Sequence, residues 1–428
     1  MKYDALVIGG GIAGMETALN LGDMGYKVLL VEKEPSIGGK MILLSKVFPT
    51  LDCSSCICTP KMAATSHHPN VTMLTYSEVL EVRRKGKGFK AKVLKKPRYV
   101  VEELCTGCQE CEANCPVNVG DEYNFGLVGR RAIFIPFSTA TPRKAVVDID
   151  NCVLCGICER VCPADAIDFT QKPEEIEVEV NAVIIATGFN LFPGEKKPQY
   201  GFGRFPNVIN AMQMDRLLSP TRPYNTVLRP SDGKIPDNIA YVLCTGSRDR
   251  TVGNPICSQI CCMYSIKQAQ LLMGALPLAD ITIYYMDIRA FGKGYEEFFK
   301  QAAEMGVQFI KGRVAKIEEK ENHNLILHYE DIDNGGVKKE TEHDLVVLSV
   351  GLLPNPKIAE IFKDEKLELD SLFWVKQVEE DESPARTNIE GVFVAGTAAG
   401  PKDIPDSILT AGAASTEAAA YIESSKEE

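Results

Sequence analysis

The chain has 428 residues, 45% hydrophobic and 25% charged, with a net charge of −11, which is enough apolar material for two or three domains with buried cores. The acidic residues are dispersed and no basic block exceeds KKPR or RRK, so nucleic acid is set aside as a partner. No run approaches the about 18 to 20 apolar residues of a membrane-spanning helix, and no secretory leader precedes the first strand, so a cytoplasmic protein without a direct membrane span is expected. Fifteen cysteines in such a chain point to metal ligation or redox chemistry, and they fall at 53/56/58, 105/108/111/115, 152/155/158/162 and 244/257/261/262.

The apolar strand YDALVIGG leads into a G-x-G-x-x-G turn at Gly9, Gly11 and Gly14, a helical run METALNLGDMGY and a second strand KVLLVEKE. This is a βαβ unit. Its glycines let the backbone reach a pyrophosphate at a helix N-terminus, where free N–H groups and the helix dipole favour anions. Glu32 closes the second strand at about the 20-residue offset at which a carboxylate meets a ribose hydroxyl. Lys33, Gly39 and Lys40, just beyond, join the candidate cofactor-binding residues. In the next stretch, DCSSCICTP, the trio Cys53, Cys56 and Cys58 reads as a flavin-proximal redox pair, a ligand set or structural thiols; no histidine or fourth cysteine accompanies it, which argues against an independent cluster, and the sequence leaves the role open. His67 and His68 precede a proline in a loop-like stretch and read as surface residues.

Residues 99–170 contain two copies of C-x2-C-x2-C-x3-C-P, at Cys105/Cys108/Cys111/Cys115 and Cys152/Cys155/Cys158/Cys162. In this ferredoxin run three close thiolates hold one 4Fe-4S cube and the fourth, before proline, ligates the other cluster. Cys105, Cys108, Cys111 and Cys162 are therefore expected at one cluster, and Cys152, Cys155, Cys158 and Cys115 at the second. A pair of zinc knuckles is the competing reading, but it would use isolated C-x2-C pairs, often with histidine nearby. The spacer EYNFGLVGRRAIFIPFSTATPRK separates the runs, so the module is a ferredoxin with an insertion.

Further on, VNAVIIATGF reads as a buried strand ending at Thr187 and Gly188. From 238 to about 345 a second βαβ pattern follows: NIAYVLCTGSRD, a helix rich in Ala, Gln and Leu, DITIYYMDIR and YEEFFKQAAEMG. Its first turn is C-T-G-S-R-D, without the glycine fingerprint that cradles phosphate. Instead Cys244, Cys257, Cys261 and Cys262 form C-x12-C-x3-C-C, four thiols that suffice for a third 4Fe-4S cluster or are buried packing residues. Lys267 lies five residues beyond the adjacent pair, a candidate to bond flavin N5 or stabilise anionic flavin, or a solvated helix lysine. The strand GVFVAGTAAG and a helix from about Pro405 complete the chain, bringing Gly396, Thr397, Asp403, Asp406 and Ser407 to the candidate site. A plain amphipathic C-terminal helix is the alternative.

The glycine turn, the ATG strand and the late strand–helix pair resemble two-dinucleotide-binding-domain flavoproteins of the disulfide reductase and thioredoxin reductase group. The implied fold is α/β and Rossmann-type, with an inserted two-cluster ferredoxin domain. Its expected divisions are 1–98, 171–237 and 346–428 for FAD binding, 99–170 for the ferredoxin and 238–345 for a degenerate nucleotide-binding domain. In that group a Gly-Asp pair meets the flavin ribityl chain; here Gly396-Thr397 stands there, so Asp403 or Asp406 is the substitute. The flavin fingerprint, TLDCSSCICTPKM, the inserted module with FGLVGRRAIFIPF and C-x12-C-x3-C-C together resemble the A-subunit family of heterodisulfide reductase.

That resemblance implies FAD, three 4Fe-4S clusters and an oxidoreductase subunit of anaerobic metabolism that splits electron pairs into single transfers, with flavin-based electron bifurcation as a further expectation. It also implies a homodimer within a larger complex, together with B- and C-like subunits and an electron-input subunit. Routes carried by extra segments of longer members are expected to be absent or supplied by a partner. The competing readings are a quinone-interacting subunit of the same family and a stand-alone NAD(P)H-dependent flavin reductase.

Overall fold

A computed structural model of the chain describes residues 1–426. Among them the α-helices are, in chain order, α1 (Ile12–Asp23), α2 (Ser54–His67), α3 (Glu110–Ala113), α4 (Ile157–Val161), α5 (Ala211–Leu218), α6 (Cys261–Ala275), α7 (Tyr295–Glu304) and α8 (Ile404–Lys426). The residues gather into two compact units. One comprises Met1–Ile42, Ile57–Phe189 and the chain from Pro354 onward; the other comprises Leu43–Cys56 and Asn190–Leu353.

The first unit is built on a five-stranded parallel sheet in the order Val392–Val394, Ala182–Ile185, Ala5–Ile8, Val28–Val31, Val71–Leu74. ALVI, VLLV and AVII are buried at every position, because a parallel sheet covered on both faces has no solvent side and its strands read as unbroken apolar runs. α1 and α8 pack against each other. The small residues Ala411, Ala414 and Ala418, all fully buried, let the two helices approach closely enough for Thr17 Oγ1 to donate to the Ala411 carbonyl at 3.5 Å.

A second, antiparallel sheet joins Ser77–Lys85, Gly88–Lys95 and Glu174–Val180. Lys95 stands opposite Glu174 in its register, so the intervening chain leaves and returns at one place. That loop is the ferredoxin module. It is closed at its base by the Val100–Ile167 bridge and by the Val101 N–H donating to the Ala166 carbonyl at 2.7 Å. Ser36 fastens it to the flavin-type fold, accepting from the Thr141 N–H at 2.8 Å while the Ile37 N–H donates to the Thr141 carbonyl at 3.1 Å.

The second unit has a seven-stranded sheet in the order Val208–Asn210, Leu345–Val350, Asn238–Thr245, Asp280–Tyr285, Gln308–Glu319, Leu325–Asp331, Val337–His343. Pairing is parallel up to Gln308–Glu319 and antiparallel beyond it. The unit thus contains the expected second βαβ pattern, Asn238–Thr245, α6 and Asp280–Tyr285. It also takes in residues 190–237, which read from sequence as FAD-binding, because Val208–Asn210 pairs with Leu345–Val350. Residues 43–56 join it too.

His343, 1% exposed, lies at the edge of this sheet. Its Nδ1 is 2.6 Å from Asn238 Oδ1 and its Nε2 is 2.9 Å from the Tyr284 hydroxyl. A neutral ring with its proton on Nδ1 donates to the first and accepts from the second. Burial lowers its pKa to about 4. The unfolded chain, with an ordinary pKa of about 6.5, takes up a proton that the folded one refuses. Stability is therefore expected to fall as pH drops from about 6.5 to about 4, by about 3 kcal/mol in all. Denaturant midpoints across that range check this, and His343→Gln should flatten the slope; an unchanged slope in the variant would assign the pH dependence elsewhere.

Candidate flavin and iron–sulfur sites

The strand Ala5–Ile8 delivers the chain to Gly9, which has φ +110°. A Cβ at Gly9 would sit 2.4 Å from the Ala186 carbonyl oxygen, and one at Gly14 only 1.8 Å from the Gly9 carbonyl oxygen. Gly39, at φ +55°, crosses the turn so closely that a Cβ there would be 2.7 Å from Gly11 Cα. Gly11 caps α1 without a side-chain hydrogen bond, so the cradle offers bare backbone and the positive end of a helix, which suits a pyrophosphate. Glu32 is buried behind it, its Oε2 accepting from the Gly10 N–H at 2.5 Å and its Oε1 from the Glu34 N–H at 2.9 Å. Burial raises its pKa, and the two backbone bonds oppose the rise. The residues present fit an FAD dinucleotide.

The other candidates of this unit sit around the same turns. Lys40 is largely enclosed, its ammonium 4.7 Å from the centre of the Phe189 ring, and burial lowers its pKa. Lys33 is exposed and faces Glu34 at 3.7 Å. Gly188, at φ +69°, brings the turn after Thr187 to within reach of Thr397, whose Oγ1 would lie 3.9 Å from a Cβ there. Gly396, at φ +61°, presses on Ala13 in α1 and donates its N–H to Thr410 Oγ1 at 3.0 Å. Asp403 caps α8: its Oδ1 accepts from the Asp406 N–H at 2.9 Å, while Ser407 Oγ donates to the Asp403 carbonyl at 2.6 Å. Asp406, the other substitute for the ribityl contact, is exposed.

Gly14→Ala is expected to abolish flavin retention, since its methyl group would have to push α1 off the Gly9 carbonyl. Flavin released by acid from the purified variant measures it; a full complement would show that this packing is not needed for binding.

In the ferredoxin module the two runs share one backbone path. The third and fifth positions are left-handed in both: Gly107 (φ +71°) and Gln109 (φ +68°) in the first, Leu154 (φ +51°) and Gly156 (φ +71°) in the second. The glycine changes place between runs, yet the turn is the same. Exposure repeats as well: Cys108 and Cys155 are exposed, Cys111 and Cys158 buried, and the first and fourth cysteines lie between. Cys105, Cys108, Cys111 and Cys162 line one cavity, which is the set expected at the first cluster. Cys115 and Cys152 pack, with Cys158, into the same apolar core around Ile133 and Val147.

Burial raises the Cys111 thiol to about 12, with further increments from Cys105, Cys108 and Cys162, and raises Cys158, with increments from Cys152 and Cys155. Backbone N–H groups are aimed at two of the sulfurs, Leu154 at Cys152 Sγ (3.4 Å) and Ala166 at Cys162 Sγ (3.3 Å), as a thiolate requires. Among the described residues no three Cys, His, Asp or Glu side chains gather tightly enough for a single metal ion. The four thiols that line the first cavity are the donors a 4Fe-4S cluster would use.

The third set lies in the other unit. Cys244 has φ +56° where the register of Asn238–Thr245 slips against Leu345–Val350, and Arg248, four residues on, has φ +54°. Non-glycine residues held there store strain of about 1–3 kcal/mol each, a mark of functional turns. Cys261 and Cys262 open α6, both buried. Cys257 Sγ accepts the N–H of Gln259 at 3.3 Å, with Gln259 at φ +61°, which repeats the local pattern of Cys152 and Leu154. The four thiols feel one another: burial raises Cys261 most, and Cys244, Cys262 and Cys257 add to it. Burial also raises Cys244, where the Arg248 guanidinium, paired with Asp287 at 2.5 Å, opposes the rise.

Lys267 is not a solvated helix lysine. It is 1% exposed, and its ammonium meets Asp215 Oδ1 at 2.6 Å. That oxygen also accepts from the Ser45 N–H (3.0 Å) and hydroxyl (2.5 Å), and Asp215 Oδ2 accepts from Gln268 Nε2 at 2.7 Å. Asp215 and Ser45 carry no motif. Asp215 shares the buried side of AMQMDRLL with the equally buried Arg216, so its polarity alone does not single it out.

The comparisons with known proteins agree with this geometry. The sequence matches the pyridine nucleotide-disulphide oxidoreductase family over residues 3–127 and the 4Fe-4S dicluster domain over 104–167. Thioredoxin reductases from Lactococcus lactis and T. acidophilum share the fold, each with a TM-score of 0.55 at 16% and 14% identity and covering 99% of both chains. Fold and thiol sets together define an iron–sulfur flavoprotein of the oxidoreductase class. Curated relatives are more specific. The iron-sulfur A subunit of the CoB–CoM heterodisulfide reductase of Methanocaldococcus jannaschii is 48% identical over 414 residues, and the A subunit of the H2:CoB-CoM heterodisulfide,ferredoxin reductase of Methanothermobacter marburgensis 45% over 418. Over nearly its whole length the chain is similar to these A subunits of heterodisulfide reductase. These matches take in 96% and 97% of the chain, which spans 63% of the length of each relative.

Proposed function

We propose that the chain is an FAD and 4Fe-4S electron-transfer subunit of a heterodisulfide-reductase-type complex, holding one FAD and three clusters. When bound, FAD exchanges electrons in pairs and each cluster one at a time. The chain's own residues set the stage. Gly9, Gly11, Gly14 and Glu32 hold the dinucleotide, the two ferredoxin runs hold two clusters through crossed fourth ligands, and Cys244, Cys257, Cys261 and Cys262 hold the third.

The observation that carries this reading is the turn after Asn238–Thr245. In a nucleotide-binding unit a glycine turn there leaves room for phosphates. Here Cys244 occupies its start, and the buried ring of Phe192 lies so close to Gly246 that a Cβ would be 2.1 Å from it. The turn lacks the glycine fingerprint that cradles a pyridine nucleotide's phosphates, which argues for single-electron traffic over direct hydride uptake. B- and C-like subunits, an electron-input subunit, homodimerisation within the assembly, a cytoplasmic location and flavin-based bifurcation complete the proposal. Among the described residues no helix is long and apolar enough to cross a membrane.

Anaerobic purification with its partners tests it: about twelve irons and one FAD per chain are expected, with heterodisulfide-reductase-like subunits in the same fraction. Rapid flavin bleaching of the isolated chain by NADH would overturn it in favour of a self-contained reductase.

A further inference from the structure

Neither the flavin cradle nor the three cluster sets use Cys53 and Cys56. Cys53 closes a hairpin tied by the Lys46–Cys53 bridge and by the Val47 N–H donating to the Asp52 carbonyl at 2.9 Å, and Cys56 follows in α2. The hairpin's base is fixed by Ser45, bonded through both its N–H and its hydroxyl to the buried Asp215 carboxylate that Lys267 also holds. Cys53 is half-buried, and Cys56, in the first turn of α2, is exposed.

Cys53 immediately precedes α2, and its Sγ accepts the Cys56 N–H at 3.3 Å, the bond an N-cap makes. The two thiols also hydrogen-bond to each other, which raises Cys56 from its ordinary value, with Cys53's own charge adding to the rise. A Cys-x-x-Cys pair across the first turn of a helix is the arrangement of reactive dithiols. Cys58 is a different case. Burial pushes its thiol up to about 12, and it donates to the Gly38 carbonyl at 3.8 Å, so it is inert packing.

We propose that Cys53 and Cys56 form a reversible dithiol–disulfide couple that exchanges with small disulfides. Cys53, whose sulfur receives the helix N–H, attacks one sulfur of the incoming disulfide, forms a mixed disulfide and expels one thiolate. The Cys56 sulfur then attacks Cys53, closes the Cys53–Cys56 bond and expels the second thiolate. One disulfide is reduced to two thiols as one dithiol is oxidised, and the protons of the two cysteines pass to the leaving thiolates.

The test uses the cofactor-loaded protein under anaerobic conditions, equilibrated in mixtures of glutathione and glutathione disulfide, quenched by alkylation and mapped by peptide mass. The expected result is an internal Cys53–Cys56 disulfide whose fraction follows the glutathione ratio, with Cys58 unmodified. Cys56→Ser should instead accumulate one glutathione on Cys53, whereas Cys53→Ser should leave Cys56 largely free. Two cysteines alkylated independently at every ratio in the unaltered protein would overturn the proposal. So would a loss of about four irons per chain in a Cys53→Ser/Cys56→Ser protein, which would make the pair cluster ligands.

Discussion

Asp215→Ala is expected to destabilise the protein by about 3–5 kcal/mol, because it leaves the Lys267 ammonium buried without its counter-charge. The Ser45 and Gln268 donors lose their acceptor in the same change. Lys267→Met alone should be milder, since Asp215 keeps those three hydrogen bonds. Asp215→Ala combined with Lys267→Met should recover most of the loss, because no charge is then stranded. Midpoints of thermal or denaturant unfolding for the three variants decide the matter. A loss below about 1 kcal/mol for Asp215→Ala would mean that water reaches Lys267 and the node is not sealed.

The second large effect concerns composition. Cys261→Ala or Cys262→Ala should remove about four irons per chain while FAD and the ferredoxin pair stay bound. Their thiols are buried and coupled to Cys244 and Cys257, so each is needed if the four share a cluster. Iron and acid-released flavin measured on the same anaerobic preparation give the answer. Unchanged iron would reduce C-x12-C-x3-C-C to packing cysteines. Loss of flavin along with the iron would mean that the change had unfolded more than its own site.

Short-range chemistry is what the local sequence makes legible. The runs ALVI, VLLV and AVII announce buried parallel strands, the glycine turn announces the cradle, and each ferredoxin run announces its loop. Long-range pairing is hidden. Nothing in VIN at 208–210 says that it pairs with Leu345–Val350, so residues 190–237 read as FAD-binding while their contacts place them in the other unit. Lys267 is legible as unusual only through its neighbours, and its partner Asp215 lies 52 residues away. Asp403 reads as a candidate flavin contact, and its further bond to the Asp406 N–H at the start of α8 is not legible in the sequence. Leu154 gives no hint of its left-handed backbone, because the turn imposes it.

The repeated path and repeated exposure of the two ferredoxin runs bear on direction. The two loops share a backbone path and each brings one cysteine to the surface, so neither loop by itself marks one end of the module as the entrance.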